Sequence, residues 1–235
     1  MIYTFKDTSI NYKLVGNGNK QIVFLHGWGA NMQCFEPFCS KLTNAKVLLI
    51  DFPPFGESAE PPAPFSIFDY AELTLNIMRL CEFNKPIIIG HSFGGRVATL
   101  LACGNYCSKL VLTGSAGLKP KRSLKYYFKV AKNKLCKKFK IGKPSGSKDY
   151  EKLSPIMKKT FVNIVTTFLE KYAINICVPT LLFWGNKDKE TPLYMAKRYQ
   201  KLISNCQLVK VKGGHFAFLQ NTNTFVHVLN YFINN

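Results

Sequence analysis

The stretch Ile87-Ile88-Ile89-Gly90-His91-Ser92-Phe93-Gly94-Gly95-Arg96 decides how this chain is read. Three β-branched residues run into a G-x-S-x-G pattern, and an apolar helical pattern, Arg96 to Cys103, follows directly and is closed by Gly104. The pentapeptide alone is a weak signal; a strand before it and a helix after it give it force. A tight strand-to-helix turn holds its central residue in a strained backbone conformation. Glycines are needed two residues to either side because side chains would collide there. Ser92 is thereby expected to stand above the sheet, with the helix behind it offering amide hydrogens and a positive dipole end to an anion.

A serine hydroxyl is a poor nucleophile near neutral pH and needs a histidine base, itself held in one tautomer by a carboxylate. The chain has four histidines: His26, His91, His215 and His227. His215 lies in Lys212-Gly213-Gly214-His215-Phe216, just after the last expected strand and at the same strand end as Ser92. His227 falls inside a helical pattern, and His91, next to Ser92 on the turn, is expected to point elsewhere. For the carboxylate, Trp184-Gly185-Asn186-Lys187-Asp188-Lys189-Glu190 follows another strand. Asp188 is preferred on the chain order serine, acid, histidine, with Glu190 as the rival. Two backbone amides are expected to receive a tetrahedral oxyanion: that of Phe93, and that of Trp28 in the loop His26-Gly27-Trp28-Gly29.

Working outward, short β-branched runs recur at Ile22 to Leu25, Val47 to Ile50, Leu110 to Leu112, Thr180 to Phe183 and Leu208 to Val211, with helical patterns between them. Such alternation predicts a mostly parallel sheet with helices on both faces. Ile2 to Phe5 and Ile10 to Val15 add an antiparallel pair at one edge, which makes eight strands. Ser66 with Asp69 three residues on starts a helix, Thr191-Pro192 opens another, and a last one is expected from Thr222 to Phe232. The connection from Thr113 to Pro179, roughly 65 residues, far exceeds the dozen or so that a crossover needs. Within it Leu124, Phe128, Ala131, Leu135 and Phe139 share one helix face. The expected organisation is an α/β core of residues 1–116 and 173–235 with a basic helical cap, residues 117–172, inserted after the sixth strand.

With 235 residues, 47% hydrophobic and 19% charged, the chain has the balance of one globular domain. No apolar run reaches the roughly 18 residues that span a bilayer and no export signal opens the sequence, so a cytoplasmic location is expected. The eight cysteines, at apolar settings such as Cys34, Cys39, Cys81, Cys103 and Cys177, read as small buried hydrophobes and not as a metal or disulfide set. The net charge of +19 is unevenly placed. Residues 117–160 carry fourteen lysines and Arg122 against Asp149 and Glu151, hence thirteen of the nineteen.

Taken in order, His26-Gly27-Trp28-Gly29, Asp51 to Ser58, Gly90 to Gly95, the Asp188 loop and the His215 loop resemble the α/β-hydrolase superfamily, and within it the small bacterial esterase-like members with a helical cap. The resemblance covers nearly the whole chain. It implies a serine hydrolase acting on an ester, thioester or similar acyl compound through an acyl-enzyme on Ser92, with Asp188 and His215 completing the machinery and neither metal nor organic cofactor. Serine at the elbow sets it apart from the dehalogenase and epoxide-hydrolase branches, which use aspartate there. Carbon–carbon hydrolysis of vinylogous diketones, and a non-catalytic ligand-binding role on the same scaffold, remain the alternatives. One departure is Pro54, where Asp-x-Pro-Gly-x-Gly-x-Ser is usual; proline cannot adopt a positive φ, so this loop must turn differently. Asp51, Ser58 and His26 are read as loop architecture.

The basic insert leaves three readings open. It is a solvated helix face, a surface for an anionic or carrier-bound small-molecule acyl substrate, or a weak contact with anionic membrane. No nucleic-acid motif accompanies the charge. Trp28, Phe93, Tyr126, Tyr127 and Phe216 are expected to line an apolar acyl pocket.

Overall fold

A computed structural model describes residues 1–121 and 151–235. Leu124, Phe128, Ala131, Leu135, Phe139, Tyr126 and Tyr127 therefore lie outside the described residues. Eight strands form one sheet: β1 (Ile2–Phe5), β2 (Thr8–Val15), β3 (Lys20–Leu25), β4 (Ala45–Ile50), β5 (Ile87–His91), β6 (Lys109–Thr113), β7 (Thr180–Gly185) and β8 (Cys206–Val211). Their spatial order is β1-β2-β4-β3-β5-β6-β7-β8. β1 and β2 pair antiparallel, as do β2 and β4, while β4, β3, β5, β6, β7 and β8 are all mutually parallel.

The continuous apolar runs of the central strands follow from burial on both faces. All five residues of β5 and all six of β7 are buried. Alternate residues feed two cores, as the two-residue period of a strand requires. Leu25, Ile88, Leu112 and Leu182 join the core on one face, and Phe24, Ile89, Val111 and Phe183 join that on the other. The first core is closed by helices α2 (Ile67–Leu80), α3 (Phe93–Cys103), α4 (Pro155–Thr166), α5 (Glu170–Ala173) and α6 (Leu193–Leu202). α1 (Glu36–Cys39), α7 (Ala217–Gln220) and α8 (Thr222–Asn234) close the second. Ser66 and Asp69 form the expected capping box on α2, each side chain taking the other's backbone amide.

Strand order reverses at β3, with β4 on one side and β5 on the other. In open α/β sheets that switch point, at the carboxyl ends of the strands, opens a crevice. The loops after β3, β5, β7 and β8 bring Trp28, Ser92, Asp188 and His215 to that one end.

The seven described cysteines are all unpaired. Cys81 and Cys107 are buried, but Cys177, expected to be buried, is exposed, because it sits in the connection leading into β7 and not on a packed element. Among the described residues no helix is long and apolar enough to cross a membrane.

Candidate active site

Ser92 lies between β5 and α3 with φ 51° and ψ −108°, a conformation that non-glycine residues rarely hold. Its amide donates to the Thr113 carbonyl (3.1 Å) and its carbonyl accepts from the Ala116 amide (3.1 Å), so the turn is fastened to the end of β6. The glycines do what the pattern demands. A Cβ on Gly90 would stand 2.6 Å from the Gly94 carbonyl oxygen, and one on Gly94 would stand 2.1 Å from that of Leu25. Both contacts are with backbone, which cannot move aside.

Asp188 is fully buried and His215 nearly so. His215 Nδ1 lies 2.9 Å from Asp188 Oδ2. The other carboxylate oxygen, Oδ1, accepts the amides of Glu190 and Thr191, each at 2.9 Å. Thr191 Oγ1 stands 2.8 Å from Oδ2 and 2.9 Å from the Gly114 carbonyl, so its one hydrogen serves one of them at a time. Burial alone would raise the Asp188 pKa. The hydrogen bonds from His215 and Thr191 outweigh it and hold the group below its ordinary value. With a carboxylate on Nδ1, that nitrogen carries the hydrogen, which leaves Nε2 with the lone pair.

Glu190, the rival for the acid's place, is instead on the other side of the ring. Its Oε2 is 3.4 Å from His215 Nε2, and its side chain is 69% exposed. No hydrogen bond joins Ser92 to His215 among the described residues, although both line the same cavity. Such bonds are often long in unliganded sites and tighten with substrate.

The cavity has a volume of about 750 Å³. Trp28 forms one wall, with its ring edge-on to Phe55, Phe93 and Phe161 at centroid distances of 5.0, 5.6 and 5.4 Å. Gly27 passes close over the serine, since a Cβ there would meet Ser92 Cβ at 3.3 Å. Phe93 opens α3, where the first amides of a helix have no intrahelical acceptor. Among the described residues no backbone carbonyl takes the amide hydrogen of Trp28 or of Phe93.

Two residues of the site are not legible in the sequence pattern. His91 does not point away: its ring packs at 4.7 Å from that of His215, and its Nδ1 lies 2.9 Å from the Thr113 carbonyl. Burial, and then the neighbouring His215, draw its pKa down to about 3, so it stays neutral beside the His215 ring. Arg96, one turn along α3, is buried and donates to the carbonyls of Ile164 and Thr167, both at 2.9 Å, at the end of α4. A charge on the apolar face of the α3 pattern was the available signal for it. Among the described residues no three His, Cys, Asp or Glu side chains cluster as a metal site would.

Residues 20–131 match the model of a family described as having the alpha/beta hydrolase fold. A hydrolase from Pseudomonas aeruginosa PA01 superposes with a TM-score of 0.79, covering 100% of this chain and 98% of that one at 20% identity. The chain has the α/β-hydrolase fold. An enol-lactonase from Burkholderia xenovorans LB400 superposes equally well, at a TM-score of 0.79 with complete coverage of both chains and 18% identity. In sequence, the chain is 25% identical to the pimeloyl-[acyl-carrier protein] methyl ester esterase of Wigglesworthia glossinidia brevipalpis over 94% of this chain and 96% of the relative. It is also 25% identical to the AB hydrolase superfamily protein YisY of Bacillus subtilis, over 88% of each.

Proposed function

We propose that this α/β-hydrolase is a serine carboxylesterase, with Ser92 as nucleophile, His215 as general base and Asp188 as the acid that orients it. The observation that carries the reading is the 2.9 Å contact between buried Asp188 and His215 Nδ1, which frees Nε2 toward the cavity that Ser92 lines. His215 Nε2 takes the hydroxyl proton as Ser92 Oγ bonds to the ester carbonyl carbon. The carbonyl π pair moves to oxygen, where the Trp28 and Phe93 amides receive the negative charge. Collapse breaks the bond to the alcohol oxygen, which leaves with the proton from Nε2. Water then attacks the acyl carbon, gives its proton to Nε2, and displaces Ser92, which recovers that proton. The acid product departs.

The substrate is an acyl ester presented on an acidic carrier protein, and α4 of the basic insert covers the site. Three relatives of near-complete coverage support the class, each named a pimeloyl-[acyl-carrier protein] methyl ester esterase. The cap reading is supported by Phe161, Ile164 and Val165 of α4, which line the cavity. The thirteen net positive charges of residues 117–160 supply the field that steers an acidic carrier.

The test compares a methyl ester loaded on acyl carrier protein with the same acid as a free methyl ester. Both are hydrolysed by the wild type and neither by Ser92→Ala, and only the carrier-bound form loses kcat/KM steeply between 50 and 500 mM salt, by about 10-fold or more. Unchanged turnover in the Ser92 variant ends the esterase reading. Equal salt dependence ends the carrier reading.

A further inference from the structure

Glu190 has no part in the chemistry just described, yet it stands where that chemistry releases its product. When the tetrahedral intermediate collapses, His215 Nε2 delivers its proton to the leaving oxygen, which must come within about 2.6–3.2 Å of that nitrogen. Glu190 Oε2 lies 3.4 Å from the same nitrogen. The first carbons of any leaving alcohol must therefore pass within a few ångströms of a carboxylate.

The position is built and not incidental. The Glu190 amide is tied to Asp188 Oδ1 at 2.9 Å, and the Thr191 amide next to it makes the same contact. The buried carboxylate that orients His215 thus also anchors the backbone from which the Glu190 side chain departs. The side chain borders the cavity at the His215 end and is otherwise exposed, so it can give way to a substrate without leaving the mouth.

We propose that Glu190 sets the charge preference for the leaving group: neutral and cationic alcohols depart past it, and anionic ones are disfavoured. The inference rests on the esterase reading and deepens it.

The experiment uses three butyrate esters that differ in leaving-group charge: those of choline, of 3,3-dimethylbutanol, its uncharged isostere, and of 3-hydroxypropanesulfonate. Values of kcat/KM are measured at low salt for the wild type, Glu190→Gln and Glu190→Lys. Two unit charges about 5 Å apart in a wet site shift a rate by about 3–10-fold. The neutral-to-anionic ratio therefore falls by that factor in Glu190→Gln, and the choline-to-sulfonate preference falls further, by the square of it or more, in Glu190→Lys. Lys152 and Arg96 also border the cavity, but they are common to all three proteins and cancel from these comparisons. Ratios that stay the same in both variants overturn the proposal, because a purely structural role for Glu190 would change all three esters together. Hydrolysis of the neutral ester by wild type and not by Ser92→Ala keeps the esterase reading apart from that outcome. Absence of turnover of all three esters by the wild type overturns the reading and the proposal with it.

Discussion

The loops after β4 and after β7 are built from the same parts and put to different uses. Each carries a buried aspartate that gathers backbone amides, and each has a histidine nearby. Asp51 is fully committed: Oδ1 accepts from the Met32 amide at 2.8 Å, and Oδ2 accepts from Asn11 Nδ2 and the Glu57 amide, both at 3.0 Å. Gly56 is there because a Cβ would stand 2.2 Å from that carboxylate. His26 is equally committed, with Nε2 accepting from the Phe52 amide and Nδ1 donating to the Gly27 carbonyl, both at 2.8 Å. Asp188 gives one oxygen to amides and shares the other between Thr191 Oγ1 and His215, whose Nε2 is left to face the cavity. A carboxylate and an imidazole at a strand end are architecture when the fold binds both oxygens and both ring nitrogens. On the proposed reading they become machinery when one ring nitrogen is left unbound by the backbone.

The comparison breaks most visibly at the two aspartates. Asn at 188 turns its NH₂ toward His215 Nδ1 and forces the wrong tautomer, so kcat for a neutral methyl ester is expected to fall about 10³–10⁴-fold with little change in Tm. Asn at 51 loses an amide contact instead. It is expected to cost about 1–3 kcal/mol of stability in urea unfolding while the folded fraction keeps kcat within a few-fold. The opposite assignment of losses would dissolve the distinction between the two loops.

A smaller effect is expected from pH. Burial draws His26 down to about 4, and His91 to about 3, both below the ordinary imidazole value. The unfolded chain binds these two protons near pH 6.5 and the folded chain does not. Stability is therefore full above pH 6.5 and declines as the pH falls toward 4. The loss between pH 7 and pH 5 is expected to be about 2–4 kcal/mol in urea unfolding, and a stability that rises over that interval would contradict the committed state of His26.

Most of this architecture is legible in the sequence because it is local. All eight strands announce themselves as short apolar runs, and the elbow does so through glycines whose necessity is steric. Strand ends were less legible: β2 begins at Thr8, because Lys6 and Asp7 close a two-residue hairpin with φ of 47° and 58°, without the Asn-Gly signal that marks such turns. The short α1 and α7, of four residues each, are below the length at which a 3.6-residue period shows. Pro54 signalled a different turn, and the Pro53–Pro54 peptide is indeed cis. The Asp188 and His215 loops could be aligned by strand order alone. The place of Glu190 beside Nε2, the tilted packing of His91 against His215 and the reach of Arg96 to α4 could not, because they depend on side-chain directions between elements far apart in the chain.

An activated Ser92 is the centre of the proposed esterase, and intact-mass analysis after exposure to a fluorophosphonate tests it without a guess at the substrate. One adduct on the wild type, none on Ser92→Ala and strongly slowed labelling of Asp188→Asn is the predicted result. A wild type that stays unlabelled, or a Ser92→Ala protein that labels equally, would contradict the assignment of this cavity as the catalytic site.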